Sequence, residues 1–176
     1  MLTLQSERLL LFGLSRSQLE LALYDLDKLC AQLGIKADPE VFSSESRQAM
    51  MIKLARMEHV DPRLHPWYTY FLLVRTEDRR AVGVCGFKGA PTPLGSVEVG
   101  YAMHEDYRNQ GYMTEAVKAL VEWAFRQKSC QRVMAETLRE NIASQRVLQK
   151  AGLVFDQAVE NMLYWKIDKR DQQAPG

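Results

Sequence analysis

Val97-Glu98-Val99-Gly100-Tyr101-Ala102-Met103, then after a short polar stretch Arg108-Asn109-Gln110-Gly111-Tyr112-Met113-Thr114, is the passage on which the fold turns. In the first run Val97 and Val99 alternate with Glu98, the period of a strand with one buried face. Thr114 to Lys128 then carries Val117, Leu120, Val121, Ala124 and Phe125 on one stripe, the pattern of a helix packed against a sheet. RVMAETL (132–138) reads as the next strand, so the passage predicts a strand-helix-strand crossover between Met103 and Leu138. The turn from Arg108 to Thr114 opens directly into the helix. Such a turn leaves backbone N–H groups unpaired with the positive end of the helix dipole behind them, which suits phosphate. Gly111 has no Cβ to keep a pyrophosphate from the backbone. On spacing alone, an ordinary strand-to-helix turn accounts for it equally well.

Upstream, ERLLLFGL (7–14) reads as a strand, and Ser15 stands where a helix cap would precede RSQLELALYDL. A second helical pattern around Lys28 to Leu33 is stopped by Gly34, and Asp38-Pro39 marks a break. SRQAMMIKLARME (46–58) is helical, with Met50, Met51, Leu54 and Met57 on or near one core-facing side. YTYFLLV (68–74), RAVGVCGFKG (80–89) and SVEVGYAM (96–103) form an antiparallel meander. Downstream, Asn141 to Lys150 is a helix, and LVF and MLYWKI supply the last strands. The expectation is an α/β (α+β) domain over residues 1–170, with a mixed, mostly antiparallel central sheet of about seven strands flanked by helices. Residues 171–176 are expected to form a flexible C-terminal tail.

Composition narrows the function. Lys and Arg number 23 against 22 Asp and Glu, so no net field draws the chain to nucleic acid or an anionic membrane. No apolar run approaches the roughly 18 residues of a membrane span, and the N-terminus lacks the features of a signal peptide. Cys30, Cys85 and Cys130 are far apart and show no metal-ligand spacing, which fits a reducing cytoplasm. His59, His65 and His104 lack a two-histidine helical ligand pair, so no metal is expected. His65, Trp67 and Tyr68 are candidates to line a substrate pocket, although burial in a core is the common fate of aromatics. No P-loop is present.

The turn resembles that of the GCN5-related N-acetyltransferase (GNAT) superfamily, whose pattern is Arg or Gln, two residues, Gly, one residue, then Gly or Ala. Arg108 and Gly111 match it, and Met113 departs from it. VEVGYAM, YRNQGYMTEAVKALVEWAF and NIASQRVLQKAGLVF are similar, in order and spacing, to the RimJ/RimL-like branch of ribosomal-protein N-terminal acetyltransferases. The resemblance implies a GNAT-like fold and an acyltransferase that moves acetyl from acetyl-CoA to a primary amine, in a protein N-terminus or a small molecule, by direct attack in a ternary complex. It implies that the pantetheine arm lies along Tyr101, Ala102 and Met103. The pyrophosphate would sit on Arg108, Asn109, Gln110, Gly111, Tyr112, Met113 and Thr114, with Asn141 and Ser144 flanking the arm.

An attacking amine must lose a proton, and Glu98, on the opposite strand face from the two valines, is the candidate base; its alternative is a solvated strand glutamate. Many superfamily members carry a tyrosine seven residues after the motif asparagine as acid for the leaving thiolate. Here that position is Leu148. Ser144 occupies the place of a serine that RimJ/RimL-like members are thought to turn toward the sulfur, or else bonds a carbonyl one turn back. Two other readings stay open: a non-catalytic acyl-CoA-binding regulatory module, and a phosphate-ligand binder sharing only the turn. Monomer and homodimer are equally compatible with the sequence.

Overall fold

The computed structural model describes residues 2–172. One eight-stranded sheet runs through it in the order β1-β2-β3-β4-β5-β6-β8-β7. The strands are β1 (Thr3–Gln5), β2 (Leu9–Gly13), β3 (Phe71–Arg75), β4 (Ala81–Phe87), β5 (Ser96–Met103), β6 (Arg132–Leu138), β7 (Val154–Val159) and β8 (Met162–Asp168). Every neighbouring pair is antiparallel except β5 with β6. The parallel pair is joined by the long helix α5 (Tyr112–Arg126), which is the expected crossover. The eighth strand, beyond the seven expected, is β1, whose three residues are too few to show alternation.

The remaining helices are α1 (Arg16–Tyr24), α2 (Leu26–Leu33), α3 (Ser44–Met57), the single turn α4 (His65–Tyr68) and α6 (Ile142–Lys150). Local chemistry fixes their ends. Ser15 caps α1 in a full capping box with Gln18, and Gly34, at φ 60°, closes α2 in the left-handed region that glycine tolerates. Tyr68 closes α4 instead of opening a strand, because Pro66 fits the first turn of a helix. Asp171 and Gln172 belong to a 3-10 turn, and the rest of the expected tail, 173–176, lies outside the described residues.

Each face of the sheet has its own core. On one, α5 and α6 pack Val117, Leu120, Val121 and Leu148 against Val97, Val99, Val133 and Trp165. On the other, Leu19, Leu29, Met50 and Met57 of α1, α2 and α3 cover Leu72, Val74 and Val84. All seven residues of β4 are buried, as expected of a strand covered on both sides. Met51, expected in the core, is 50% exposed: it follows Met50 by one residue and so points about a quarter-turn away. Trp67 is buried 4.9 Å from Phe87 and 4.6 Å from Trp123, so its ring belongs to the core, whereas His65 and Tyr68 are half-buried.

Among the described residues, Lys53 of α3 is the one buried lysine or arginine, 8% exposed, donating to the Phe87 carbonyl at 2.5 Å and lying 4.6 Å from the Tyr70 ring. Burial pushes its pKa from 10.5 down to about 8. The unfolded chain therefore holds this proton over a pH range in which the folded chain has released it, and stability rises with pH between about 8 and 10.5. Below 8 both states are charged and the burial penalty, of order 3 kcal/mol, is fully present. Lys53→Met should remove this rise, so that urea midpoints of the two proteins, measured across that range, converge as pH increases.

Candidate active site

β5 and β6 pair only from Ser96 to Glu98, against Arg132 to Met134. Beyond that point β5 stays with β4 as far as Met103, while β6 stays with β8 as far as Leu138. The sheet therefore splits into a V, and the β6-facing backbone groups of the second half of β5 have no strand partner. Glu98 sits at the apex. A cavity of about 720 Å³ occupies the opening, a size suited to a small-molecule ligand.

At its mouth lies the turn read from the sequence. Asn109 (φ 59°) and Gly111 (φ 85°) are left-handed, a curl that turns successive amides into a concavity for anions. Gly111 is the N-cap of α5 and offers no side-chain cap. By contrast α1, α2, α3 and α6 each begin on a capping side chain, from Ser15, Asp25, Ser43 and Asn141. Among the described residues, the longest helix thus starts with its first-turn amides unclaimed by any side chain, which is where a pyrophosphate would fit.

A brace from the other end of the chain holds this turn. Arg8 donates to Glu115 at 2.6 Å and to the Gln110 carbonyl at 2.9 Å, and its guanidinium stacks 4.4 Å from the Tyr112 ring. Ser6 adds a bond to Glu115 at 2.9 Å. Glu115 is partly buried, which on its own would raise its pKa, but its bonds to Arg8 and Ser6 dominate and hold the carboxyl below its ordinary value. No motif signals this brace, because 107 positions separate Arg8 from Glu115.

Among the residues expected at the cofactor, Tyr101, Ala102, Met103, Arg108, Asn109, Gly111, Tyr112, Met113, Thr114, Asn141 and Ser144 line the cavity. Gln110 does not, and instead donates to the Asp106 carbonyl at 2.8 Å. Met113, the departure from the family pattern, is 6% exposed and packs into the core beneath α5, so most of its bulk is directed away from the opening. Asn141 caps α6 through Ser144 N at 3.0 Å.

Ser144 does not depend on a carbonyl one turn back for a partner. Its hydroxyl lies 2.7 Å from the Tyr101 hydroxyl, so two hydroxyls from β5 and α6 meet at the cavity wall. Burial pushes the Tyr101 phenol up to about 12, against a smaller opposing effect of the Ser144 bond, so it stays protonated at neutral pH. Leu148, at the position of the absent tyrosine, is fully buried. The family resemblance implies only a backbone role for Tyr101, and strand spacing holds no signal for its contact with a helix residue 43 positions away.

Glu98 is not on the cavity wall. Its Oε1 is shut off from solvent and pairs with Lys88 Nζ, which also holds Glu136 at 2.7 Å. The alternation of β5 puts Glu98 on the face opposite Val97 and Val99, the face where Ala102 packs toward α1–α3. The cavity reaches that face too, since Ser43 and Glu45 at the start of α3 line it.

Among the described residues, one set of side chains has ligand-like spacing: atoms of Asp38, Glu40 and His104 lie within 4.8 Å of one another. His104 Nδ1 accepts from the Asp106 amide at 3.3 Å, so Nε2, 3.8 Å from Glu40, carries the proton of the neutral ring. A metal-bound histidine ordinarily donates from its second nitrogen. Asp38 and Glu40, in the connection between α2 and α3, lie beside the histidine that follows β5. No helix among the described residues is long and apolar enough to cross a membrane.

Comparison with known proteins agrees with this geometry. The model of the acetyltransferase (GNAT) domain family matches residues 18–154. The uncharacterized N-acetyltransferase YjdG of Bacillus subtilis (strain 168) is 30% identical over 95 residues, 54% of this chain and 56% of that protein. The uncharacterized N-acetyltransferase p20 of Bacillus licheniformis is 29% identical over 167 residues, 88% of this chain and 86% of that protein. Among solved structures, a ribosomal-protein-S5-alanine acetyltransferase from Vibrio fischeri superposes with a TM-score of 0.65 at 20% identity, covering 99% of this chain and 100% of that one. The ribosomal L7/L12 α-N-protein acetyltransferase RimL, in complex with coenzyme A, does so with a TM-score of 0.65 at 17% identity, covering 95% and 98%. A split parallel strand pair, an uncapped glycine turn leading into the crossover helix, and a family match across most of the chain lead to one assignment: the chain belongs to the GNAT acetyltransferase family of enzymes.

Proposed function

We propose that this chain transfers an acetyl group from acetyl-CoA to a primary amine by direct attack within a ternary complex. The observation that carries the reading is the uncapped glycine turn of α5 at the mouth of the β5/β6 opening. Acetyl-CoA supplies the acetyl group as an activated thioester. The turn from Arg108 to Thr114 holds the pyrophosphate, and the unpaired backbone of Tyr101 to Met103 hydrogen-bonds the amide-bearing arm as an added strand would. Backbone N–H groups of β5 stabilise charge developing on the carbonyl oxygen. Glu98, at the apex on the α3 side, takes the proton of the incoming ammonium, directly or through water.

The Tyr101–Ser144 pair favours turnover over a silent acyl-CoA-binding module, since it supplies hydroxyls for the leaving thiolate despite Leu148. A protein α-amino group is the acceptor suggested by structural relatives that act on ribosomal proteins, with a small-molecule amine as the other choice. The chain works in the cytoplasm without a metal. Calorimetric titration with acetyl-CoA, CoA, ATP and NAD tests the donor. Micromolar affinity for the two CoA species, followed by thiol release with N-terminal peptides or simple amines, is the expected result. Preference for ATP or NAD over CoA would overturn the reading.

A further inference from the structure

Lys88 stands where an acceptor has to stand. Its backbone amide donates to the Glu98 carbonyl at 2.8 Å, which extends the β4–β5 ladder one residue past the Phe87–Val99 pair. Both side chains therefore lie on the α3 side of the sheet, opposite Phe87, Val97 and Val99. Lys88 Nζ pairs there with the Glu98 carboxylate and lies 2.7 Å from Glu136, so one ammonium bridges the β5 and β6 arms at the apex of the V. Arg56 of α3 donates to the Lys88 carbonyl at 2.8 Å and holds its backbone. The side chain itself is half exposed on a flexible stem, which leaves it free to swing.

Any amine acetylated with Glu98 as base must bring its nitrogen within hydrogen-bond reach of that carboxylate. Lys88 Nζ is already there. The donor arm, laid from the turn at the mouth along Met103 to Tyr101, carries its thioester end toward the same apex. We infer that Lys88 is a self-acetylation site: without an external acceptor, the protein transfers the acetyl group of bound acetyl-CoA to its own Lys88. The inference rests on the acetyl-CoA reading above, with Glu98 as base. The Lys88 ammonium gives one proton to Glu98, which passes it to solvent, and the freed electron pair attacks the acetyl carbonyl carbon. The C–S bond then breaks with its pair on sulfur, and a second proton from the nitrogen ends on that sulfur. The products are N-acetyl-Lys88, the coenzyme A thiol and one released proton. The new amide is neutral, so Glu98 and Glu136 lose their shared cation.

Burial alone would lower the pKa of Lys88, but its bonds to Glu136 and Glu98 outweigh that and hold it above its ordinary value. Uncatalysed acetylation by acetyl-CoA in solution needs the free amine, so it should reach Lys88 later than exposed lysines such as Lys28 and Lys118. Early modification of Lys88 therefore reports transfer within the site.

The test is incubation of the wild-type protein with acetyl-CoA alone at neutral pH, with acetylation at each lysine followed in time by peptide mass spectrometry. Lys88 should be modified at least about tenfold faster than Lys28 or Lys118, because a nucleophile held beside the thioester reacts at a high effective concentration. At saturating acetyl-CoA, diluting the protein should leave the fraction of Lys88 modified per unit time unchanged, as expected of transfer within one molecule. Glu98→Gln should slow modification of Lys88 by about a hundredfold and leave Lys28 and Lys118 at their background rates. Lys88 modified no faster than those two, a rate that falls on dilution, or an unslowed rate in Glu98→Gln would overturn the inference. Acetyl transfer to added amines by a protein whose Lys88 stays unmodified would also overturn it, while leaving the donor reading intact. Failure of the protein to bind acetyl-CoA would remove the donor reading and the self-acetylation site together.

Discussion

Gly111→Glu should lower CoA affinity by at least about a hundredfold, enough to take micromolar binding out of calorimetric range. Two effects combine. At φ 85° any side chain costs roughly 1–2 kcal/mol of backbone strain, and an added Cβ would lie 3.1 Å from the Arg8 guanidinium, a flexible group that can give way. The larger effect is electrostatic. A carboxylate at the N-cap of α5 can take up the free first-turn amides itself, so it competes with the pyrophosphate from within the chain and repels it. Losing two charge-assisted hydrogen bonds, each worth about 1.5–3 kcal/mol, accounts for the expected factor. Gly111→Ala separates the two effects, because it keeps the strain without the charge; it should weaken binding no more than about tenfold and lower the unfolding midpoint slightly. A Gly111→Glu protein that folds and binds CoA within about threefold of wild type would place the pyrophosphate elsewhere.

What the sequence made legible follows from the range of each interaction. The run from Ser96 to Met103 and the α5 stripe carry clear periods, and both elements appear there, α5 beginning and ending two residues before the expected Thr114 and Lys128. Ser15 and Gly34 act on backbone groups a few positions away, so their roles as caps show in spacing alone. The site is legible only as far as it is local. The turn from Arg108 to Thr114 could be read because all its parts are consecutive. The Arg8–Glu115 brace, the Tyr101–Ser144 hydroxyl pair and the Lys88 link between Glu98 and Glu136 could not, because each joins residues that only the sheet order brings together. The short strand β1 and the outward turn of Met51 escaped for simpler reasons. Three residues are too few to show a period, and of two adjacent methionines only one can take the core-facing side of the helix.

Glu98→Gln should lower kcat by about a hundredfold or more with little change in the KM for acetyl-CoA, the loss expected when a positioned base is removed without disturbing donor binding. The amide is nearly isosteric, so the β5/β6 apex keeps its shape, and what changes is the ability to accept a proton. The pH profile distinguishes this role from a structural one. An amine acceptor with an ordinary pKa near 10 is almost wholly protonated at neutral pH. Without a base, the variant must wait for the free amine, so its rate should climb about tenfold per pH unit toward the acceptor's pKa and close much of the gap to wild type at alkaline pH. Loss of the Lys88 pairing alone would give a deficit that does not shrink as pH rises. Lys88→Met provides the control: it frees Glu98 from its partner and leaves the carboxylate in place, so turnover should survive where Glu98→Gln loses most of it. A Glu98→Gln enzyme within about threefold of wild type at neutral pH would assign the proton to water or to the acceptor itself, and would leave Glu98 as one side of the Lys88 ion cluster.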